Sequence, residues 1–120
     1  MKLAISSKGK SLDSEIDPRF GRAAFFILID PETMNFEIIE NKQNLQLPQG
    51  AGIQTAQTVV ERGATIVLTG NCGPKAFQVL QATGIKVAVG ISGTIKDAVI
   101  QFKQGKINYV QAPNVEGHWA

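Results

Sequence analysis

Cysteine and histidine are almost absent: the 120-residue chain holds one of each. That excludes a disulfide framework within the chain, and any zinc or iron–sulfur cage built from several cysteines of one copy. A multi-histidine metal site in a monomer is excluded as well. Charge of one sign is also scarce, since 12 basic against 10 acidic side chains leave +2 at pH 7. Such a balance does not point to a nucleic-acid partner. No apolar run approaches the roughly 20 residues that span a bilayer. The opening Met1-Lys2-Leu3-Ala4-Ile5-Ser6-Ser7 lacks the long apolar stretch and cleavage site of a secretory signal. A cytoplasmic protein with no membrane partner is the expectation. What is present, 43% hydrophobic and 18% charged residues, is the mixture of a globular chain rather than a disordered one. The length suits one core and is too short for two.

Residues 3–6 read as a short strand and 7–17 as a polar loop around Gly9. The apolar run 24–29, Ala-Phe-Phe-Ile-Leu-Ile, closes at Asp30-Pro31 and reads as a buried strand. Turn chemistry at residues 30–33 returns the chain into a second run. There Phe36, Ile38 and Glu40 share one face and Glu37 and Ile39 the other, which suits an antiparallel neighbour. A polar loop of about a dozen residues (41–52) follows. Beyond it the rhythm changes. Ile53, Ala56, Val59 and Val60 have helical spacing, and Gly63 is placed to end that helix. Residues 65–69 read as a β-branched strand. Pro74 then suits the first turn of a second helix, with Ala76, Phe77, Val79 and Leu80 as its stripe and Gly84 as its end. Residues 85–89 form another strand. Thr94 and Asp97 resemble a capping box for a third helix carrying Ile95, Ala98, Val99 and Phe102. Residues 107–110 are expected as a short final strand, and 112–120 as a tail behind a single domain of residues 1–111. The order β-β-β-α-β-α-β-α predicts an α/β fold with a mixed five-stranded sheet and helices on its faces. An antiparallel meander followed by βαβα is the ribonuclease H-like arrangement.

In open α/β sheets, ligands bind beyond the carboxyl ends of the parallel strands. Three loops are expected there: Ser6-Ser7-Lys8-Gly9, Thr69-Gly70-Asn71-Cys72-Gly73 and Gly90-Ile91-Ser92-Gly93-Thr94. The last two lead into helices, whose first turns offer unpaired N–H groups and a partial positive charge to an anion. Glycine at such corners serves turn geometry equally well, and neither loop has the spacing of a nucleotide-phosphate fingerprint. Cys72 precedes a helix start, a position that lowers a thiol's pKa and makes it a metal ligand; the other reading is a small buried turn residue. Arg19 and Arg22 flank Phe20-Gly21. They either clamp an anion or pair with Asp13, Glu15 or Asp17 while Phe20 plugs the core. His118-Trp119 either cover a site or lie in a loose end. A two-metal nuclease lacks its carboxylates, because the first strand carries Ala4 and Ser6 instead.

The string Asp17-Pro18-Arg19-Phe20-Gly21-Arg22-Ala23-Ala24-Phe25-Phe26 resembles the F-G-R-A-x-x-F segment of the dinitrogenase iron–molybdenum cofactor biosynthesis family. Gly70-Asn71-Cys72-Gly73-Pro74-Lys75-Ala76-Phe77 is similar to that family's second motif, and Gly90-Ile91-Ser92-Gly93-Thr94-Ile95 to its third. The ordered set covers residues 1–111. The resemblance implies a domain that binds or carries a metal–sulfur cluster or its precursor, as nitrogenase cofactor carriers and the small orange proteins with a molybdenum–copper sulfide cluster do. Several family members place a histidine where this chain has Arg19, and some have histidine-rich loops or tails. This chain has Arg19, Gln49 and Gln54 in those regions, so the resemblance does not carry direct histidine ligation over to it.

The leading expectation is therefore a non-enzymatic carrier of an anionic molybdenum/iron or molybdenum/copper sulfide cluster, handed on to a protein partner. Its crevice would be lined by Ser6, Arg19, Arg22, Cys72, Gly73, Ser92, Gly93 and Thr94. Arginines supply charge, Gly73, Gly93 and Thr94 supply N–H groups, and Cys72 a metal-ligating thiolate. The alternative is an interaction or regulatory module that binds a small phosphate, a nucleotide or a protein. Monomer and homodimer both remain open.

Overall fold

A computed structural model describes residues 1–41 and 51–115. Five strands appear in it, β1 (Leu3–Ser7), β2 (Phe25–Ile29), β3 (Phe36–Glu40), β4 (Ile66–Leu68) and β5 (Lys86–Ala88). Three helices accompany them, α1 (Ala51–Glu61), α2 (Pro74–Ala82) and α3 (Ile95–Lys103), in the expected β-β-β-α-β-α-β-α order. The strands form one mixed sheet in the order β3-β2-β1-β4-β5. β1 and β2, like β2 and β3, run antiparallel; β4 lies parallel to β1, and β5 to β4.

Register follows from apolar residues on both faces of the central strands. Ile5 pairs with Ile27 on one side and Leu68 on the other. A slip of one residue would exchange the two faces, each of which is matched to its own helices. Ala4, Phe26, Leu28, Val67 and Val87 pack with Ala56 and Val59 of α1 and Ala76, Phe77 and Leu80 of α2. Leu3, Ile5, Ile27, Ile29 and Leu68 pack on the opposite face with Ile95, Ala98 and Val99 of α3. Gly63 and Gly84, at φ +90° and +80°, end α1 and α2 in the left-handed conformation.

One expectation needs correction. Residues 107–110 do not form a strand. A single bridge links Tyr109 to Ala88, and the Val110 N–H donates to the Val87 carbonyl at 2.8 Å. Beyond it, Asn114 is hydrogen-bonded to Cys72 and Asn71. His118, Trp119, Gln49 and most of the 41–52 loop lie outside the described residues.

Candidate functional site

The predicted 69–73 and 90–94 loops meet at Gly70, where the 17–20 segment joins them, and of the 6–9 loop Ser6 reaches Thr69. The Gly90 N–H donates to the Gly70 carbonyl at 2.8 Å, and the Ile91 N–H to that of Thr69 at 3.1 Å. From the other side, Arg19 bridges Asn71 in parallel. The Phe20 N–H donates to the Asn71 carbonyl at 3.1 Å, and the Asn71 side chain donates to the Pro18 carbonyl at 3.1 Å. Pro18 lies so close that a Cβ on Gly70 would meet its Cα at 2.7 Å and its carbonyl oxygen at 2.9 Å. Glycine is required here by close backbone approach.

This packing lies just beyond the carboxyl ends of β1 and β4. Phe20 is fully buried and meets the Phe26 ring edge-on at 5.2 Å. Ser6, placed in the site by its position, lies beneath the plug. Its hydroxyl bonds to the Asp17 carbonyl and the Thr69 hydroxyl, each at 2.7 Å, and no surface is exposed. It ties β1 to the loop above it, so a ligand would sit outside this layer.

The start of α3 is closed as well. Its Ile95 and Lys96 N–H groups donate to the Ser14 and Leu12 carbonyls, both at 2.9 Å. The Asp97 N–H donates to the Thr94 hydroxyl, and the Thr94 N–H to the Asp97 carboxylate, completing the predicted capping box. Bonds from the Thr94 amide and then the Thr94 hydroxyl hold the Asp97 carboxyl below its ordinary pKa. Gly93 takes φ +96°, which L side chains rarely adopt, and a Cβ there would also meet that carboxylate at 2.7 Å. Of the amides expected from this corner, the Thr94 N–H is consumed. Ser92 remains exposed on the rim.

The start of α2 is built differently. Gly73 is its N-cap without a side-chain cap, and Pro74 occupies the first turn. Cys72 does not turn its sulfur outward. It is 0% exposed among Phe20, Ala76 and Phe77, with its sulfur 3.8 Å from the Gly73 carbonyl. Burial pushes its thiol up to about 12, the reverse of the lowering expected beside a helix start. Desolvation outweighs the helix dipole, so Cys72 is a core residue and a poor metal ligand. Among the described residues no three His, Cys, Asp or Glu side chains converge to hold a metal ion.

Arg19 is about half exposed, with its Nε 3.7 Å from Asp17, whose carboxylate also accepts the Arg19 N–H at 3.0 Å. Arg22 is half-buried beside Gly21, whose carbonyl accepts from Thr55 of α1 and from Asn41. Arg19 thus stands beside the 69–73 loop, and the backbone next to Arg22 is tied to α1. Asn114 joins the 69–73 loop too: its side chain accepts the Cys72 N–H at 2.8 Å and donates to Asn71 at 3.0 Å. Sequence reasoning assigned neither asparagine a role of its own. Asn71 sat inside a recognised loop, but Asn114 carried no local signal.

The chain matches the dinitrogenase iron-molybdenum cofactor family over residues 1–105. An uncharacterized protein of Methanocaldococcus jannaschii is 30% identical over 98 residues, covering 79% of this chain and 82% of that one. The apo form of the orange protein from Desulfovibrio gigas superimposes with a TM-score of 0.93 at 43% identity, covering 95% of this chain and 96% of its own. A NifB-assigned protein of Thermotoga gives 0.83 at 34% identity, covering 97% and 98%. With its three loop motifs joined at one sheet edge, the chain belongs to the dinitrogenase iron-molybdenum cofactor family.

Proposed function

We propose that the protein carries an anionic metal–sulfur cluster, of the molybdenum/iron or molybdenum/copper sulfide class, or a precursor of one. It would do so without catalysing a reaction, and on a sheet of the ribonuclease H-like kind. The observation that carries this reading is the start of α2, which has no side-chain cap and stands beside the Arg19–Asn71 pair. Pro74 has no N–H and Gly73 and Ala76 are buried, so the exposed Lys75 at the helix start and the half-exposed Arg19 guanidinium are the donors offered to negative charge. Family membership and the likeness to the orange protein favour a sulfide cluster as the cargo.

Such a cluster brings its own sulfide ligands. The donors here are N–H groups, which hold from outside the coordination sphere, and the buried Cys72 thiol takes no part. Release to a protein partner then requires no exchange of metal ligands. Arg19 and Arg22 supply charge, the Gly73 corner supplies direction, and Ser92 lies on the rim.

The test is anaerobic reconstitution with tetrathiomolybdate and copper, followed by desalting, metal analysis and visible spectroscopy. We expect metal and colour to be retained by the wild type and by Cys72→Ala, and lost in Arg19→Glu. No retention by the wild type overturns the proposal, as does equal retention by Arg19→Glu. Thermal stabilisation by inorganic phosphate but not by thiomolybdate would assign the same donors to a phosphate-binding module instead.

A further inference from the structure

The two edges of the sheet are treated differently. At β5 the chain itself covers the edge, through the Tyr109 bridge and the Val110 bond to Val87. At β3 no described residue pairs with the outer side. Natural edge strands are usually guarded by proline, lysine, a bulge or extreme shortness. The β3 sequence, Phe-Glu-Ile-Ile-Glu, has no proline and no lysine, and all five residues pair with β2 without a bulge. Its two acids are neutralised within the chain. Arg62 meets Glu37 at 2.8 Å, and Lys10 meets Glu40 at 3.5 Å.

The hydrogen-bond parity shows what this edge offers. The Asn41 N–H donates to the Ala24 carbonyl, and the Asp30 N–H to that of Asn35, both at 3.0 Å. In an antiparallel ladder such pairs alternate, so residues 37 and 39 turn their backbone groups toward β2. Phe36, Ile38 and Glu40 turn theirs outward. A groove of about 430 Å³ lies along β3, lined by Ile38, Ile39, Glu40 and Asn41, by Gln54 and Thr58 of α1, and by Arg62 just past the end of that helix. Gln54, Thr58 and Arg62 are spaced four apart along one line.

We propose that this edge pairs with β3 of a second copy, antiparallel about a two-fold axis at Ile38. That register sets Ile38 opposite its own mate and Phe36 opposite Glu40, so every outward group meets an outward group. About six inter-chain hydrogen bonds result, two for each directly opposed pair. The charge pattern is self-complementary: Glu37 faces Ile39 and Glu40 faces Phe36, so no two carboxylates stand directly opposed. Phe36, 43% exposed in one copy, gains cover from the other. The contact is isologous, which closes at two copies and does not propagate.

Sedimentation equilibrium from about 1 µM to about 1 mM tests this, because a short-strand contact is expected to dissociate within that range. The wild-type mass should rise toward twice that of the chain. Phe36→Glu places carboxylates opposite Glu40 and should hold the protein monomeric throughout. Adding Glu40→Lys restores opposite charges across the axis and should restore the dimer. Ile38→Pro removes an outward N–H that pairs with no strand among the described residues and should also give a monomer with its circular dichroism unchanged. A wild type that stays monomeric overturns the proposal. So does association that Phe36→Glu leaves untouched, or a double variant that stays monomeric.

Discussion

The starts of α2 and α3 look alike in the sequence, each a glycine-containing turn after a short strand, yet they have opposite characters. At α3 the first-turn amides are taken by Leu12, Ser14 and the Thr94–Asp97 box. At α2 the N-cap is a bare glycine followed by proline. The difference comes from another part of the chain. The excursion through residues 8–16 lies across α3 and seals it, while the 17–20 loop stops at Asn71 and, among the described residues, α2 has no side-chain cap. A glycine corner is therefore a ligand site only if no other backbone segment has reached it first. Composition at the corner does not record that.

The most severe way to break this comparison is at Gly70, which belongs to both corners. Gly70→Ala drives a Cβ into the Pro18 backbone and disturbs the Gly90 bond on the other side. Relief requires moving backbone, so the cost should be about 3 kcal/mol. Urea denaturation would measure it, and a loss under about 1 kcal/mol would show that the loops are not locked together there.

Cys72 sharpens the comparison through pH. Its thiol is pushed up to about 12 by burial, from an ordinary value of 9.0. The unfolded chain ionises first, so stability is unaffected below about pH 9 and falls as pH rises toward 12. The loss should approach about 1.4 kcal/mol per pH unit within that window. Cys72→Ala should remove this decline relative to the wild type. Parallel alkaline unfolding curves would mean that the sulfur meets solvent, and the α2 corner would regain a thiolate.

Thr94→Ala tests the sealed corner. Loss of its hydroxyl from the Asp97 N–H should cost about 1 kcal/mol, as for other helix caps, with no effect on retained metal. Asp97 adds an acid signature. Its folded pKa is depressed, so its contribution is present above its ordinary 3.8 and disappears as pH falls through the lower folded value. Wild type and Asp97→Asn should therefore converge in stability on acidification, as followed by thermal unfolding across that range.

The β-β-β-α-β-α-β-α order was legible because local signals agreed. The apolar run at β2, the glycine ends of α1 and α2, and the Thr94–Asp97 spacing each act within a few residues. The loop meeting was legible from topology. The fates of Ser6, Cys72 and Thr94 were not. Whether a hydroxyl, thiol or amide faces solvent depends on segments distant in sequence, such as Pro18 over Gly70 or Ser14 against Ile95. The helix dipole at Cys72 is a local inference, and burial by Phe20 and Phe77 overrode it. Similarly, residues 107–110 have strand-like composition, but only the Tyr109–Ala88 bridge forms.

The mildest test concerns Asn114, which makes the α2 corner less open than its bare cap suggests. Its carboxamide oxygen already accepts the Cys72 N–H, and its own amide reaches Asn71. Because Asn114 is solvent-exposed, Asn114→Ala should cost only about 0.5 kcal/mol, toward the low end for a hydrogen bond. The informative readout is chemical. Loosening this tie frees the backbone that carries Cys72, so alkylation of the native protein by iodoacetamide at pH 8 should accelerate while global stability barely changes. Alkylation as slow as in the wild type would place control of Cys72 entirely with the Phe20 plug. The contrast between the two helix starts would then rest on the 17–20 loop alone.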